Sequence, residues 1–403
     1  MGGHRSRKRF DTVVATSLVA VAALSFASFG VSKSMLMNPE DALRYLDTTY
    51  GRPETRTIKS SPLDILDELS ILTSEPLGQE TENLKCKEPL VATHNRVLRE
   101  PRSGLEEQKI PRIFHVSFKG RCLPQDLARH VDRWKEKLPD YSVFFHDDDA
   151  VDALLTSDWA QQIFPDLNET MQCVRKGAMK TDVWRVLVIY KYGGVYTDID
   201  NWPLDKFDQN LIEPDLSAFS FSDFANRPSQ WFFAMDPLHP MAYYSMLAIL
   251  KNVYQIPDIT RPKVVFTTGP GAVDEGYTRF TYGERVGKRG GYITGTGGRK
   301  MRKIAAKNQT DSYIVGGYKF KDMVPLHGEE RNVTRRQRVE IEGDSLHWKQ
   351  AINKQVYMGA MTEKGSCKSF LKNKMKEAEL NKMKEAAEQN LKANSTQQDL
   401  RTG

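Results

Sequence analysis

Asp198 and Asp200 stand two residues apart at the end of the run Val195-Tyr196-Thr197, and Asp182 and Arg185 stand three apart at the head of an apolar stretch reaching Tyr190. Two carboxylates spaced i, i+2 at a strand end point the same way. They make a hard oxygen site of the kind that holds Mg2+ or Mn2+ jointly with substrate phosphates. A metal there offsets charge growing on a departing diphosphate, while Asp182 or Arg185 orients hydroxyls of the transferred group. Taken alone, D-x-D is a common chance pattern, and Asp182 with Arg185 reads equally as an internal ion pair on one helical face.

The elements around these residues narrow the reading. Val183, Trp184, Val186, Leu187, Val188, Ile189 and Tyr190 predict a helix apolar nearly all round, hence buried. Gly193-Gly194 ends it and turns the chain into a short strand carrying Asp198 and Asp200. Upstream, Ile110 to Phe118 reads as a strand, Leu127, Val131, Trp134 and Leu138 as one face of a helix, Tyr141 to Phe145 as a second strand, and Ala150 to Phe164 as an amphipathic helical segment. Alternating strands and helices predict an α/β fold with a mostly parallel central sheet. Asp147, Asp148 and Asp149 read as a helix start rather than a second metal site. The basic run from Gly287 to Lys303 reads as a surface insertion or a mobile lid.

The full pattern, D-x-x-R, apolar helix, then G-G-x-Y-x-D-x-D, resembles the DXD-containing sugar-binding region of the glycosyltransferases that include fungal initiation-specific α-1,6-mannosyltransferases, inositol-phosphoceramide mannosyltransferases and α-1,4-galactosyl- and α-1,4-N-acetylglucosaminyltransferases. Ile110-Pro111-Arg112-Ile113-Phe114-His115-Val116-Ser117 is similar to that family's opening strand, Leu138-Pro139-Asp140-Tyr141 to the segment before its second strand, and Thr268-Gly269-Pro270-Gly271 to its T-G-P-G turn. The resemblance implies a GT-A (Rossmann-like) fold, a nucleotide-sugar donor, Mn2+ (or Mg2+) and transfer with retention. By position it implies that His115, Val116 and Ser117 lie beside the nucleotide and that Asp182 and Arg185 contact the donor sugar. It places Asp198 on ribose, sugar or metal, and Asp200 directly on the metal. His347 and Trp348 stand for a diphosphate or metal contact, although the glycine expected before the tryptophan is missing, and Asn226 and Trp231 fall on the acceptor side. GDP-mannose is the first donor expected, with a UDP-sugar for galactosyl, glucosyl or N-acetylglucosaminyl transfer as the alternative; the acceptor is a glycan or glycolipid.

Thr12 to Val31 carries no charge and is long enough to cross a bilayer as a helix. Arg5, Arg7, Lys8 and Arg9 precede it, so the rest of the chain is expected in the lumen of the Golgi or ER, as a single-pass type II membrane protein. The layout read from sequence is a cytosolic tail at 1–11, a span at 12–31, a stem at 32–108, a catalytic domain at 109–369 and a polar helix and tail at 370–403. Over 403 residues the net charge is only +6, with 39% hydrophobic and 27% charged residues, which fits one large domain and argues against a nucleic-acid binder. The four cysteines, Cys86, Cys122, Cys173 and Cys367, lack zinc spacing and read as disulfides of unassigned pairing or as buried thiols. From other classes, a metal-dependent phosphohydrolase lacks the further His and Asp ligands a two-metal site uses, and a non-catalytic scaffold has no reason to keep every acidic residue.

Overall fold

The computed structural model describes residues 84–88, 90–93, 96–99, 108–174, 177–223, 225–259, 262–305, 313–315, 365–374, 376–377 and 380–381. The expected span at 12–31, His347 and Trp348 lie outside them. Among the described residues no helix is long and apolar enough to cross a membrane.

In chain order the strands are β1 (Val91–Ala92), β2 (Val97–Arg99), β3 (Ile113–Ser117), β4 (Cys122–Leu123), β5 (Ser142–His146), β6 (Gly194–Asp198), β7 (Trp202–Pro203), β8 (Ala218–Ser222), β9 (Pro228–Met235), β10 (Gly290–Thr294), β11 (Lys300–Ile304) and β12 (Ile314–Val315). The helices are α1 (Gln125–Lys137), α2 (Asp148–Thr156), α3 (Asp158–Ile163), α4 (Leu167–Met171), α5 (Gly177–Tyr192), α6 (Pro240–Tyr254), α7 (Val264–Thr267) and α8 (Pro270–Phe280). An eight-stranded sheet runs in the order β10-β11-β8-β9-β6-β3-β5-β2. Strands β3, β5, β6, β8 and β11 point one way, but β9 enters antiparallel between β6 and β8, so the sheet is mixed at its centre as well as at its edges.

Strand alternation distributes the core over both faces of this sheet. Phe114, Val116, Val143, Phe145, Val195, Phe232 and Ala234 face a cluster completed by Trp134 of α1. Ile113, Phe144, Tyr196, Phe233 and Met235 face the cluster built by α5, α6 and α8. Helix α5 is buried from Asp182 to Tyr190, as its all-round apolarity predicts.

Four segments take a more specific form than their sequence shows. The amphipathic segment from Ala150 to Phe164 is two helices, because Ser157, extended at φ −61° and ψ 146°, caps the second through a bond from the Ala160 amide. The basic run from Gly287 to Lys303 is a hairpin at the sheet edge, where Lys300, Arg302 and Arg299 pair with Asp215, Glu213 and Asp236. Part of the segment expected as a stem packs on the sheet: β2 pairs with β5, and the buried Arg96 bonds both carboxylate oxygens of Asp147. The C-terminal helix starts at Cys367, ahead of Phe370, and packs Phe370 and Leu371 into the core. Two disulfides, Cys86–Cys122 and Cys173–Cys367, settle the pairing and leave no free thiol.

Candidate active site

The strands β3, β5 and β6 end together in register, with Ser117 beside both Asp198 and His146. Gly193 and Gly194 bring them there. Their φ values are +67° and +90°, and a Cβ on Gly194 would sit 2.4 Å from the Ile113 carbonyl oxygen, so only glycine lets β6 approach β3 this closely. His115 fastens the same turn: its ring nitrogens lie 3.1 Å from His146 Nε2 and 3.1 Å from the Gly193 carbonyl. A carbonyl only accepts, so His115 carries its proton on Nε2 and takes one from His146 Nε2 on Nδ1. Burial pushes His115 down to about 4 and His146 well below its ordinary value, so the pair is neutral.

Strand β6 stops at Asp198, and Asp200 sits in the turn that follows, closed by a bond from the Asn201 amide to the Asp198 carbonyl. The two carboxylates are therefore not successive teeth of one strand face, as the i, i+2 spacing predicts; a tight turn sets the second. That turn is held from beneath. His130 Nδ1 donates to the Ile199 carbonyl at 3.2 Å and Trp134 Nε1 to the Asn201 carbonyl at 3.0 Å, both from α1, while Asn201 Nδ2 reaches the Trp231 carbonyl at 2.9 Å.

Arg185 is the hub. Its Nη1 lies 2.9 Å from Asp198 Oδ1 and donates to the Gln230 carbonyl at 3.1 Å, Nη2 lies 3.4 Å from Asp182 Oδ1, and the guanidinium covers the Tyr196 ring at 4.8 Å. Burial opposes its charge, yet Asp198, Tyr196, Asp182 and Asp200 together hold its proton more tightly than usual. Tyr196 donates its hydroxyl to Asp198 Oδ1 at 2.7 Å. Asp182, also buried, accepts from Thr268 Oγ1 at 2.8 Å; burial raises it to about 6, against the pull of Arg185 and the Thr268 bond.

This cluster of carboxylates around one guanidinium, on a glycine-tight turn, is where the family comparison falls. Residues 124–217 match the glycosyltransferase sugar-binding region containing a DXD motif. Similar proteins are the initiation-specific alpha-1,6-mannosyltransferase of Candida albicans, 28% identical over 27% of this chain and 28% of its own length, and inositol phosphoceramide mannosyltransferase 1 of Schizosaccharomyces pombe, 25% identical over 46% and 57%. Mannosyl phosphorylinositol ceramide synthase CSH1 of Saccharomyces cerevisiae is 24% identical over 40% and 41%. The chain thus spans from under a third to just over half the length of these relatives. Among solved structures it is similar to PaToxG glycosyltransferase at a TM-score of 0.34 and 13% identity over 55% of this chain and 78% of that one, too distant to place any residue.

Within the DXD region, Asp182, Arg185 and Asp198 come together as expected, with Asp200 close enough to act on the Arg185 charge. Ser117 lies level with Asp198 in the β3–β6 ladder, beside the cluster. His115 and Val116 do not present their side chains to it, because both are fully buried, Val116 in the core and His115 spent on His146 and Gly193. Asn226, at φ +61° in the β8–β9 loop, has its carbonyl and side-chain oxygens taken by Lys303 Nζ at 2.9 and 3.2 Å. Trp231 stacks on Phe221 and lends its carbonyl to the DXD turn. No site role is legible in the sequence for Tyr196, Gln230 or the Thr268 hydroxyl: Tyr196 and Thr268 lie inside the family-like motifs, Gln230 lies in none, and the contacts of Gln230 and Thr268 join segments far apart in the chain. Asp147 caps α2 by accepting from the Ala150 amide, as expected of a helix start.

Proposed function

We propose that the chain is a metal-dependent glycosyltransferase of GT-A type that moves a hexose, with retention, from a nucleotide sugar to a glycan or glycolipid. The observation that carries this is Arg185 buried among Asp182, Asp198 and the Gln230 carbonyl at the end of β6, next to Asp200. Among the described residues, which leave out His347, the third expected metal contact, the donors offered to a metal at this turn are the carboxylates of Asp198 and Asp200, and these fit a hard cation. Asp200, with Asp198 assisting, would hold it, and when bound the ion supplies charge neutralisation to the leaving diphosphate.

The chain's own residues do the rest. Tyr196 and Arg185 both bind Asp198 Oδ1 and so fix that carboxylate. Arg185, unable to lose its proton, keeps positive charge beside the departing group, and Asp182 accepts hydrogen bonds from the sugar hydroxyls. Mannose from GDP-mannose is the first donor, supported by the mannosyltransferase relatives; a UDP-sugar is the alternative. We further propose a secretory-pathway membrane location through a span at 12–31, which two disulfides support, since such bonds persist in oxidising compartments.

Incubating the chain with GDP- and UDP-sugars, with and without Mn2+, tests the proposal. Manganese-dependent release of one nucleoside diphosphate, lowered at least about 100-fold by Asp200→Ala with the melting temperature retained, is expected. Turnover unchanged in that variant removes the assignment, and phosphate release without sugar transfer points to a hydrolase instead.

A further inference from the structure

Asp182 is not positioned by its own helix alone. Thr268, fully buried in the turn between α7 and α8, donates its hydroxyl to Asp182 Oδ2 at 2.8 Å. Gln230 of β9, 3% exposed, donates Nε2 to the Thr268 carbonyl at 2.7 Å and approaches the Asp182 carbonyl at 3.4 Å, while its own carbonyl receives Arg185. Three segments distant in sequence therefore meet at one residue, Thr268 on the Asp182 carboxylate and Gln230 on the backbone carbonyls of Asp182 and Thr268. The turn has little slack, because a Cβ on Gly269 would come within 2.8 Å of the Val265 backbone and Pro270 starts α8 directly after it.

We propose that Thr268 and Gln230 are positioning residues that set recognition of the sugar, as distinct from the nucleotide, by clamping Asp182. An ionised carboxylate offers about four acceptor directions. Thr268 takes one on Oδ2 and Arg185 occupies Oδ1, so the remaining lone pairs are held in fixed directions for the hydroxyl donors of a hexose. The clamp touches Asp182 and the Arg185 anchor. Its loss therefore weakens grip on the sugar and spares grip on the diphosphate.

This inference rests on the proposed glycosyl transfer, and the test separates the two. The full chain is titrated calorimetrically, in Mn2+, with GDP and UDP and with the matching nucleotide sugars. Thr268→Val keeps the shape and deletes the donor; the ratio of sugar-nucleotide affinity to bare-diphosphate affinity is expected to fall roughly tenfold, with diphosphate affinity retained and a cooperative melt at a somewhat lower temperature. Thr268→Ser restores the ratio, and Gln230→Met, which deletes the other half of the clamp, lowers it in the same direction should the valine variant not fold. An unchanged ratio in a folded variant, or equal loss for diphosphate and sugar nucleotide, overturns the inference. A wild-type chain that binds none of these ligands overturns the glycosyltransferase proposal itself.

Discussion

At the residue scale, the ion-pair reading of Asp182 and Arg185 holds at 3.4 Å, and the same guanidinium also pairs with Asp198. A second buried polar group has a consequence that can be measured. His115 titrates near 4 in the folded chain against 6.5 when exposed, mainly because burial excludes its charge. The folded state thus binds fewer protons than the unfolded state between these values, so this group's contribution to stability rises with pH across that window and is lost on acidification, by roughly 3 kcal/mol in the limit. His115→Gln, which titrates nowhere in this range, is expected to flatten the fall in melting temperature between pH 6.5 and 4; parallel pH profiles for the two proteins would exclude this origin. The role of His115 was not legible in the sequence. A histidine on a strand next to a proposed ligand looks like a contact, and only the pairing of β3 with β5 reveals that His146 claims it.

At the element scale, what the sequence made legible was local. An all-round apolar helix, a double glycine and a short strand ending in acid are each specified by neighbours in the chain, and α5 and β6 form as expected. What stayed hidden was non-local: β2 and β11 are short, carry charge and earn their places only through partners far away in sequence. The double glycine is also where an element's geometry and the site's meet. At φ +90° with the Ile113 oxygen 2.4 Å from an added Cβ, Gly194→Ala cannot be absorbed by a rotamer change and must move β6 from β3. We expect it to cost about 2–4 kcal/mol of stability, from backbone strain and the disturbed ladder, and to lower donor affinity by displacing Asp198 from Arg185. Gly120→Ala, where an added Cβ meets nothing within 4 Å, is the control. A Gly194→Ala protein that melts and binds like the control would show that the close approach is not needed.

At the scale of the whole molecule, the question is where the folding unit begins. A fragment starting at residue 109, the boundary read from sequence composition, loses three things together. It loses β2, which covers the edge of β5. It loses Arg96, leaving the buried Asp147 with the more distant Arg121, whose Nε lies 3.8 Å away. It also loses the Cys86–Cys122 bond, which closes a separation of 36 residues. Breaking a buried ion pair from one side costs about 3–5 kcal/mol, and a disulfide across a loop of this size contributes about 4 kcal/mol in the chain-entropy account. Their sum is comparable with the whole stability of an ordinary domain, about 5–15 kcal/mol. A fragment from residue 84 to the C-terminus is therefore expected to melt cooperatively, and one from residue 109, carrying Cys122→Ser to prevent stray pairing, to be unfolded or to melt at far lower temperature. Circular dichroism melts of the two decide it. Equal midpoints would return residues 84–108 to the stem and reduce the Arg96–Asp147 contact to an attachment that the catalytic fold does not require.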